Sequence, residues 1–353
     1  MINTLAQPAN PKILLVKLSS LGDVLHNLPI VWDLRARLPD AQIDWVVEEG
    51  YVHLLTPLLS KEGNDGFKGI DRIIPFGLRR WKKNLLKLST WKEFFAFKRS
   101  LQQVSYDVII ETQGLLKSAL VCSLAKKSPT AVVAGLANAT EFSGYEPVAR
   151  AFYNQSVQVP TQCHAVDRSR WVMCSALDWA LLERSSAPQF YPVQYIQSLP
   201  SPTQALSQQL VAPYVLCFHS TAREAKRWPN GHWIALGQKL SSRGYQVVLP
   251  WGNLAERAVS EEIAAQIPNA LVPPAFSIED AFAVIAGAAL TVGVDTGLTH
   301  LAAALNKPTV EIYCDSPLWK TEGYWSNNIR NVGDIQKPPK VAEVLQATNE
   351  LLP

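Results

Sequence analysis

Apolar and β-branched residues fall in short runs along the first half of the chain, at 13–18, 43–49, 70–76, 106–112 and 131–136, each bounded by turn-forming residues. Runs of that length predict strands. At 23–38, 91–104 and 115–125, apolar positions recur every three or four residues, the period of a helix with one buried face. The pattern restarts in the second half. Strands are predicted at 214–220, 246–251, 290–295 and 309–314, and helices near 231–243, 254–267, 278–288 and 298–305. Such alternation predicts parallel sheets covered on both faces. The stretch 187–213 holds five prolines among several Ser and Gln and reads as a linker. The expected architecture is α/β: two Rossmann-like, doubly wound domains facing across a cleft. Their expected bounds are 1–190 and 214–335, with a linker at 191–213. Residues 336–353 carry a last helix at about 340–352, after Pro338-Pro339, expected to pack back toward the first domain. Neither half shows G-x-G-x-x-G after its first strand, which disfavours an NAD-type site.

Composition narrows the class. A length of 353 residues suits about two domains. No apolar run approaches the ~18 residues of a membrane span. Residues 1–11 are polar, lack the apolar core of a signal peptide and are expected to be disordered. Five scattered cysteines form no C-x-x-C pair, which suits reduced thiols in cytoplasm. Charge is uneven. The chain is +3 overall, yet 61–100 holds eleven Lys/Arg against four Asp/Glu, a net of +7 that leaves the remainder at −4.

Two strand-to-helix junctions carry the candidate chemistry. Val294-Asp295-Thr296-Gly297-Leu298-Thr299-His300 points free amides and a positive helix end at one spot, which suits a phosphate. Ser19-Ser20-Leu21-Gly22-Asp23 makes a similar turn and carries a carboxylate. Asp23 is either a general base or simply a helix N-cap, and both roles can hold. Lys226, in a post-strand loop with Thr221 and Ala222, can oppose charge on a departing phosphate or be a solvated lysine. Asp295 would repel a diphosphate and is better suited to holding the loop or a neighbouring cation. His300 faces the leaving group or packs. Glu256 accepts from ribose hydroxyls or complements a helix dipole. Phe276 stacks on a base or fills the core. No D-x-D motif or other carboxylate pair suggests Mg²⁺, so no metal or cofactor is expected.

Several blocks occur in a fixed order: 17–26 (KLSSLGDVLH), 44–49 (DWVVEE), Arg79-Arg80-Trp81, Lys226-Arg227-Trp228-Pro229, Leu249-Pro250-Trp251-Gly252 and 294–300 (VDTGLTH). Together, over roughly 12–335, they resemble the lipopolysaccharide heptosyltransferase I family, inverting glycosyltransferases of the GT-B fold. The resemblance implies transfer of heptose from ADP-heptose to the Kdo sugar of the lipopolysaccharide inner core, with Asp23 as base. Thr221, Ala222, Lys226, Glu256, Phe276, Asp295, Thr296, Gly297 and His300 would then meet the donor. Lys17, Ser19, Ser20, Arg79, Arg80, Lys82 and Lys83 would meet the acceptor.

The resemblance also implies a monomer on the cytoplasmic face of the inner membrane. It acts on a nucleotide sugar and an anionic lipid-linked acceptor, without nucleic acid. The basic stretch Arg79-Arg80-Trp81-Lys82-Lys83 is otherwise a solvated face or a nucleic-acid patch that lacks any recognised module. Trp81, Trp91, Phe94 and Phe95 nearby are placed to lean on an anionic membrane. Tyr145 stands where the family usually has an arginine, Ala222 replaces a second threonine, and Cys314-Asp315-Ser316-Pro317 replaces a Gly- and Thr-containing loop. These differences bear on the acceptor more than on the donor class. The alternatives are a related transferase with another acceptor or nucleotide sugar, or a noncatalytic sugar- or nucleic-acid-binding protein.

Overall fold

The first strand, β1 (Lys12–Val16), buries four of its five residues. A strand apolar on both sides needs cover on both, and the chain supplies it with crossover helices. The computed structural model describes residues 10–60, 68–181, 187–199 and 201–352. Residues 1–9, most of the stretch expected to be disordered, lie outside the described residues. Two compact units divide between Pro192 and Val193.

In the first unit, β1 is joined by β2 (Gln42–Glu48), β3 (Arg72–Phe76), β4 (Tyr106–Glu111), β5 (Lys127–Leu136) and β6 (Gln155–Val157) in the order β3-β2-β1-β4-β5-β6, all parallel. The order reverses between β1 and β4, so their carboxyl ends form the crevice where doubly wound sheets bind ligands. Leu14 and Val16 of β1, Ile109 of β4, and Phe97 and Leu101 of helix Leu88–Leu101 share one core. Asp44, fully buried on β2, is satisfied by Arg72 Nη2 at 2.6 Å and the Tyr106 hydroxyl at 2.7 Å.

The second unit has β7 (Tyr214–Phe218), β8 (Gln246–Val248), β9 (Leu290–Val294), β10 (Thr309–Tyr313) and β11 (Ile329–Gly333) in the order β11-β10-β9-β7-β8, again parallel. Its reversal lies between β7 and β9, at the loop after 218 and the turn at 295–297.

Several expectations needed correction. The helix expected over 23–38 is two helices, Leu21–Leu25 and Pro29–Arg37, because Pro29 has no N–H with which to continue the first. Helix Ala165–Ala176 was missed because its buried face includes Arg168, Ser169 and Arg170, which obscure the apolar period. β6 and β11 were also missed. Two short helices, Val193–Gln197 and Gln204–Ser207, interrupt the expected linker. The terminal helix Val341–Leu351 buries Val344 and Ala347 in the second unit's own core, with Val310, Ile312 and Leu236, whereas it was expected to turn back toward the first.

Gly293 brings strand and helix together at the second crevice. A Cβ there would lie 2.0 Å from Thr299 Oγ1, which itself donates to the Val294 carbonyl at 2.9 Å. Gly293→Ala should cost about 1–3 kcal/mol in urea denaturation, as overpacking does. Gly231→Ala, with nothing within 4 Å of the added Cβ, should leave stability unchanged or higher.

Candidate active site

In the first unit, Asp23 is the third residue of helix Leu21–Leu25, and Ser20 rather than Asp23 is the N-cap. Its Oδ2 accepts from the Ser20 N–H at 3.1 Å and the Ser20 hydroxyl at 2.9 Å, so the carboxylate reaches back over the helix start as in a capping box. Lys17 Nζ and an Arg168 guanidinium nitrogen lie 3.9 and 3.6 Å from Oδ1. Burial pushes the Asp23 carboxyl up, but Lys17, Arg168 and the Ser20 hydrogen bonds outweigh it and hold it well below the usual carboxylate range. The side chain remains 39% exposed, so an ionised carboxylate faces open space.

The loop that presents it is braced from β4. Gln113 Oε1 accepts from the Leu18 and Ser19 N–H groups at 2.9 and 3.2 Å, and its Nε2 donates to the Ser19 carbonyl at 2.6 Å. Lys17 is buried and donates to the Thr112 carbonyl at 3.2 Å. Its ammonium faces Asp23. Ser19 Oγ accepts from Lys117 Nζ at 2.6 Å, Lys117 pairs with Glu48 at 3.1 Å, and Glu48 pairs with Arg79 at 2.7 Å. Ser19 and the exposed Arg79 thus belong to one network. Arg80 pairs with Glu49 and Glu93, and Lys82 and Lys83 are exposed. Trp81 is buried and cannot lean on a membrane, unlike Trp91 and Phe95, which are about half exposed. Tyr145 donates its hydroxyl to the Ala137 carbonyl at 2.8 Å.

In the second unit a line of alternating charge runs inward from the crevice. Lys226 Nζ pairs with Asp295 Oδ2. Asp295 Oδ1 meets His300 Nε2 at 2.8 Å, and His300 Nδ1 meets Glu311 Oε1 at 2.9 Å. Glu311, fully buried on β10, also accepts from the Tyr313 hydroxyl at 2.9 Å and the Gly323 N–H at 3.0 Å. Burial alone would depress the His300 pKa, but Glu311 and Asp295 raise it from 6.5 to about 9, so the ring is an imidazolium at neutral pH. Burial pushes Asp295 up, but His300 and Lys226 hold it well below the ordinary carboxylate range. Asp295 therefore holds a cation. His300 packs behind it.

Thr296 caps helix Gly297–Ala304 without a side-chain bond to it, and Thr296 and Gly297 are partly exposed at its first turn. Thr221 is nearly buried, and Ala222 is exposed. One oxygen of Glu256 accepts from the Gly252 N–H at 2.8 Å, beneath the Asn253 cap. Phe276 is partly exposed in the loop before helix Ile278–Gly287.

Sequence reasoning missed Arg168, Gln113, Lys117 and Glu311. A glutamate at the centre of the otherwise strand-like Thr309-Val310-Glu311-Ile312-Tyr313 was the readable sign of the last. His219 was missed as well. It is buried, 2.7 Å from Ser260 Oγ, and burial with the Arg227 charge lowers its pKa to about 4. It ties the end of β7 to helix Leu254–Ala264 as a neutral ring.

Two doubly wound parallel units, one with a carboxylate and one with a cation and a helix start at their sheet reversals, make up a GT-B-like fold. The family model for glycosyltransferase family 9 (heptosyltransferase) matches residues 94–349. The lipopolysaccharide heptosyltransferase 1 of Pseudomonas aeruginosa is 39% identical over 328 residues, 93% of this chain and 85% of that protein. That of Escherichia coli K12 is 32% identical over 319 residues, 90% and 92% of the two chains. The solved structure of E. coli heptosyltransferase WaaC with ADP matches with a TM-score of 0.78 and 31% identity, covering 96% of this chain and 99% of that one. The chain belongs to glycosyltransferase family 9, the heptosyltransferases.

The two cations beside Asp23 have a measurable consequence. Cations favour the ionised form, so Arg168→Gln should raise the Asp23 pKa toward the ordinary range. The Asp23 carboxyl, followed by ¹³C NMR against pH, should titrate higher in the variant. An unmoved titration would show that Arg168 does not act on Asp23.

Proposed function

We propose that the chain transfers heptose from ADP-heptose to Kdo of the lipopolysaccharide inner core, in one inverting displacement. The acceptor hydroxyl oxygen bonds to the anomeric carbon as the bond from that carbon to the β-phosphate oxygen breaks. The electron pair leaves with ADP, and the hydroxyl proton goes to Asp23. The cations that keep Asp23 ionised also make it a weak base. That suits a late transfer, since an alcohol already bonded to the anomeric carbon is strongly acidic.

Lys226, the Thr221 and Thr296 hydroxyls and the first amides of helix Gly297–Ala304 oppose the charge developing on ADP, a role often given to a metal. Glu256 and Phe276 are assigned to ribose and adenine. Ser19, Ser20, Arg79, Arg80, Lys82 and Lys83 are assigned to the anionic groups of a lipid-linked acceptor at the cytoplasmic face of the inner membrane. Two solved relatives, E. coli WaaC with ADP and with ADP-2-deoxy-2-fluoro heptose, support the donor class.

The observation that carries this reading is Asp23 itself, an ionised, partly exposed carboxylate at the sheet reversal of the first unit. Asp23→Asn should lower kcat by about 10²–10⁴-fold, as loss of a general base does. ADP affinity, measured by calorimetry, should stay unchanged. Turnover near the parent rate would remove Asp23 from the mechanism.

A further inference from the structure

We propose that the turn and helix at 82–95 form a wedge that inserts into an anionic lipid surface. Leu85, Leu86 and Leu88 are 56%, 100% and 81% exposed, and Trp91 and Phe95 are 50% and 49% exposed. Helix Leu88–Leu101 already has a core face, made by Thr90, Phe97 and Leu101. Leu88, Trp91 and Phe95, at i, i+3 and i+7, form a second apolar stripe on its outer side.

The turn ahead of the helix is built rather than slack. Trp91 Nε1 donates to the Leu85 carbonyl at 3.0 Å, Thr90 Oγ1 to the Asn84 carbonyl at 2.8 Å, and the Lys87 N–H to the Asn84 carbonyl at 3.0 Å. Trp91 and Phe94 meet edge to face, as do Phe94 and Phe95. The chain thus holds five large apolar side chains outward on a fixed frame.

Charge decides what they meet. Lys82, Lys83, Lys87 and Lys92 flank these apolar positions along the chain and are all exposed, and no acidic residue falls between 82 and 92. The next acid along the chain, Glu93, pairs with Arg80 and accepts from Trp81 Nε1. A second copy docking isologously would set lysine against lysine. An anionic bilayer takes both parts, with lysines at the headgroups and leucines and aromatics at the acyl boundary. The proposal deepens the reading of a lipid-borne acceptor and rests on it for its purpose, but its test needs no turnover.

The full chain is mixed with phosphatidylglycerol–phosphatidylcholine vesicles and with pure phosphatidylcholine vesicles, and sedimentation is measured. Binding is expected with the anionic vesicles. Leu86→Ser with Leu88→Ser should weaken it by about tenfold or more. Lys87→Gln with Lys92→Gln should weaken it by about tenfold. An environment-sensitive fluorophore on Leu86→Cys should shift to the blue on the anionic vesicles; the five native cysteines are buried and leave position 86 as the labelled site.

Turnover on a delipidated, water-soluble Kdo acceptor should be unchanged in the Leu86 and Leu88 variant, which also reports that it is folded. The proposal is overturned if the parent ignores anionic vesicles, if the leucine variant binds as well as the parent, or if the fluorophore reports only concentration-dependent self-association. Vesicle binding without turnover on any acceptor would instead defeat the proposed function and leave the wedge standing.

Discussion

Lys226, Asp295, His300 and Glu311 alternate in sign from a partly exposed lysine to a fully buried glutamate, and the chemistry proposed for the second unit depends on that line. A carboxylate at the mouth of the proposed phosphate site is a liability by itself, because it repels the ligand. Held between Lys226 and an imidazolium, Asp295 is neutralised and becomes the fixture that aims a cation outward. Glu311 makes this possible by keeping the proton on His300. Buried ion chains are weak evidence for stability, since apolar residues of similar volume often do as well. Positioning Lys226 is therefore the better account of why four ionisable groups sit here.

The first unit solves the opposite problem with the same means. The role proposed for Asp23 needs an anionic, reachable carboxylate, and Lys17 and Arg168 hold it ionised while its side chain stays 39% exposed. Gln113 fixes the backbone from which the helix starts. In both units the proposed chemistry lies at the reversal of strand order, where two neighbouring crossovers leave the sheet in opposite directions.

Strong periodicity made the two sheets and most of their helices legible in the sequence. The misses share a cause. Helix Ala165–Ala176 buries two arginines, so its inner face does not look apolar, and Arg168 disappeared with it. β6 has three residues, too few for any pattern to register. At the sites, short-range junctions such as 19–23 and 294–300 could be read because strand, turn and helix are contiguous. Partners brought in by pairing of distant strands could not be. Gln113 reaches the 17–20 loop, and Glu311 reaches His300, only once the sheets exist. The terminal helix was misplaced because its amphipathic face says that it packs, not on what.

The proton on His300 tests the account most directly. ¹⁵N NMR of the imidazoles, with His300 assigned by loss of its signal in His300→Gln, reads it without substrate. The account predicts a ring protonated on both nitrogens from pH 6.5 upward, losing its proton only near pH 9. Because the folded value is the higher one, the stability this proton contributes is complete below 6.5 and is lost as pH rises through about 9. A neutral, singly protonated ring across that window would contradict it, leaving Asp295 without its imidazolium and Lys226 without its fixture.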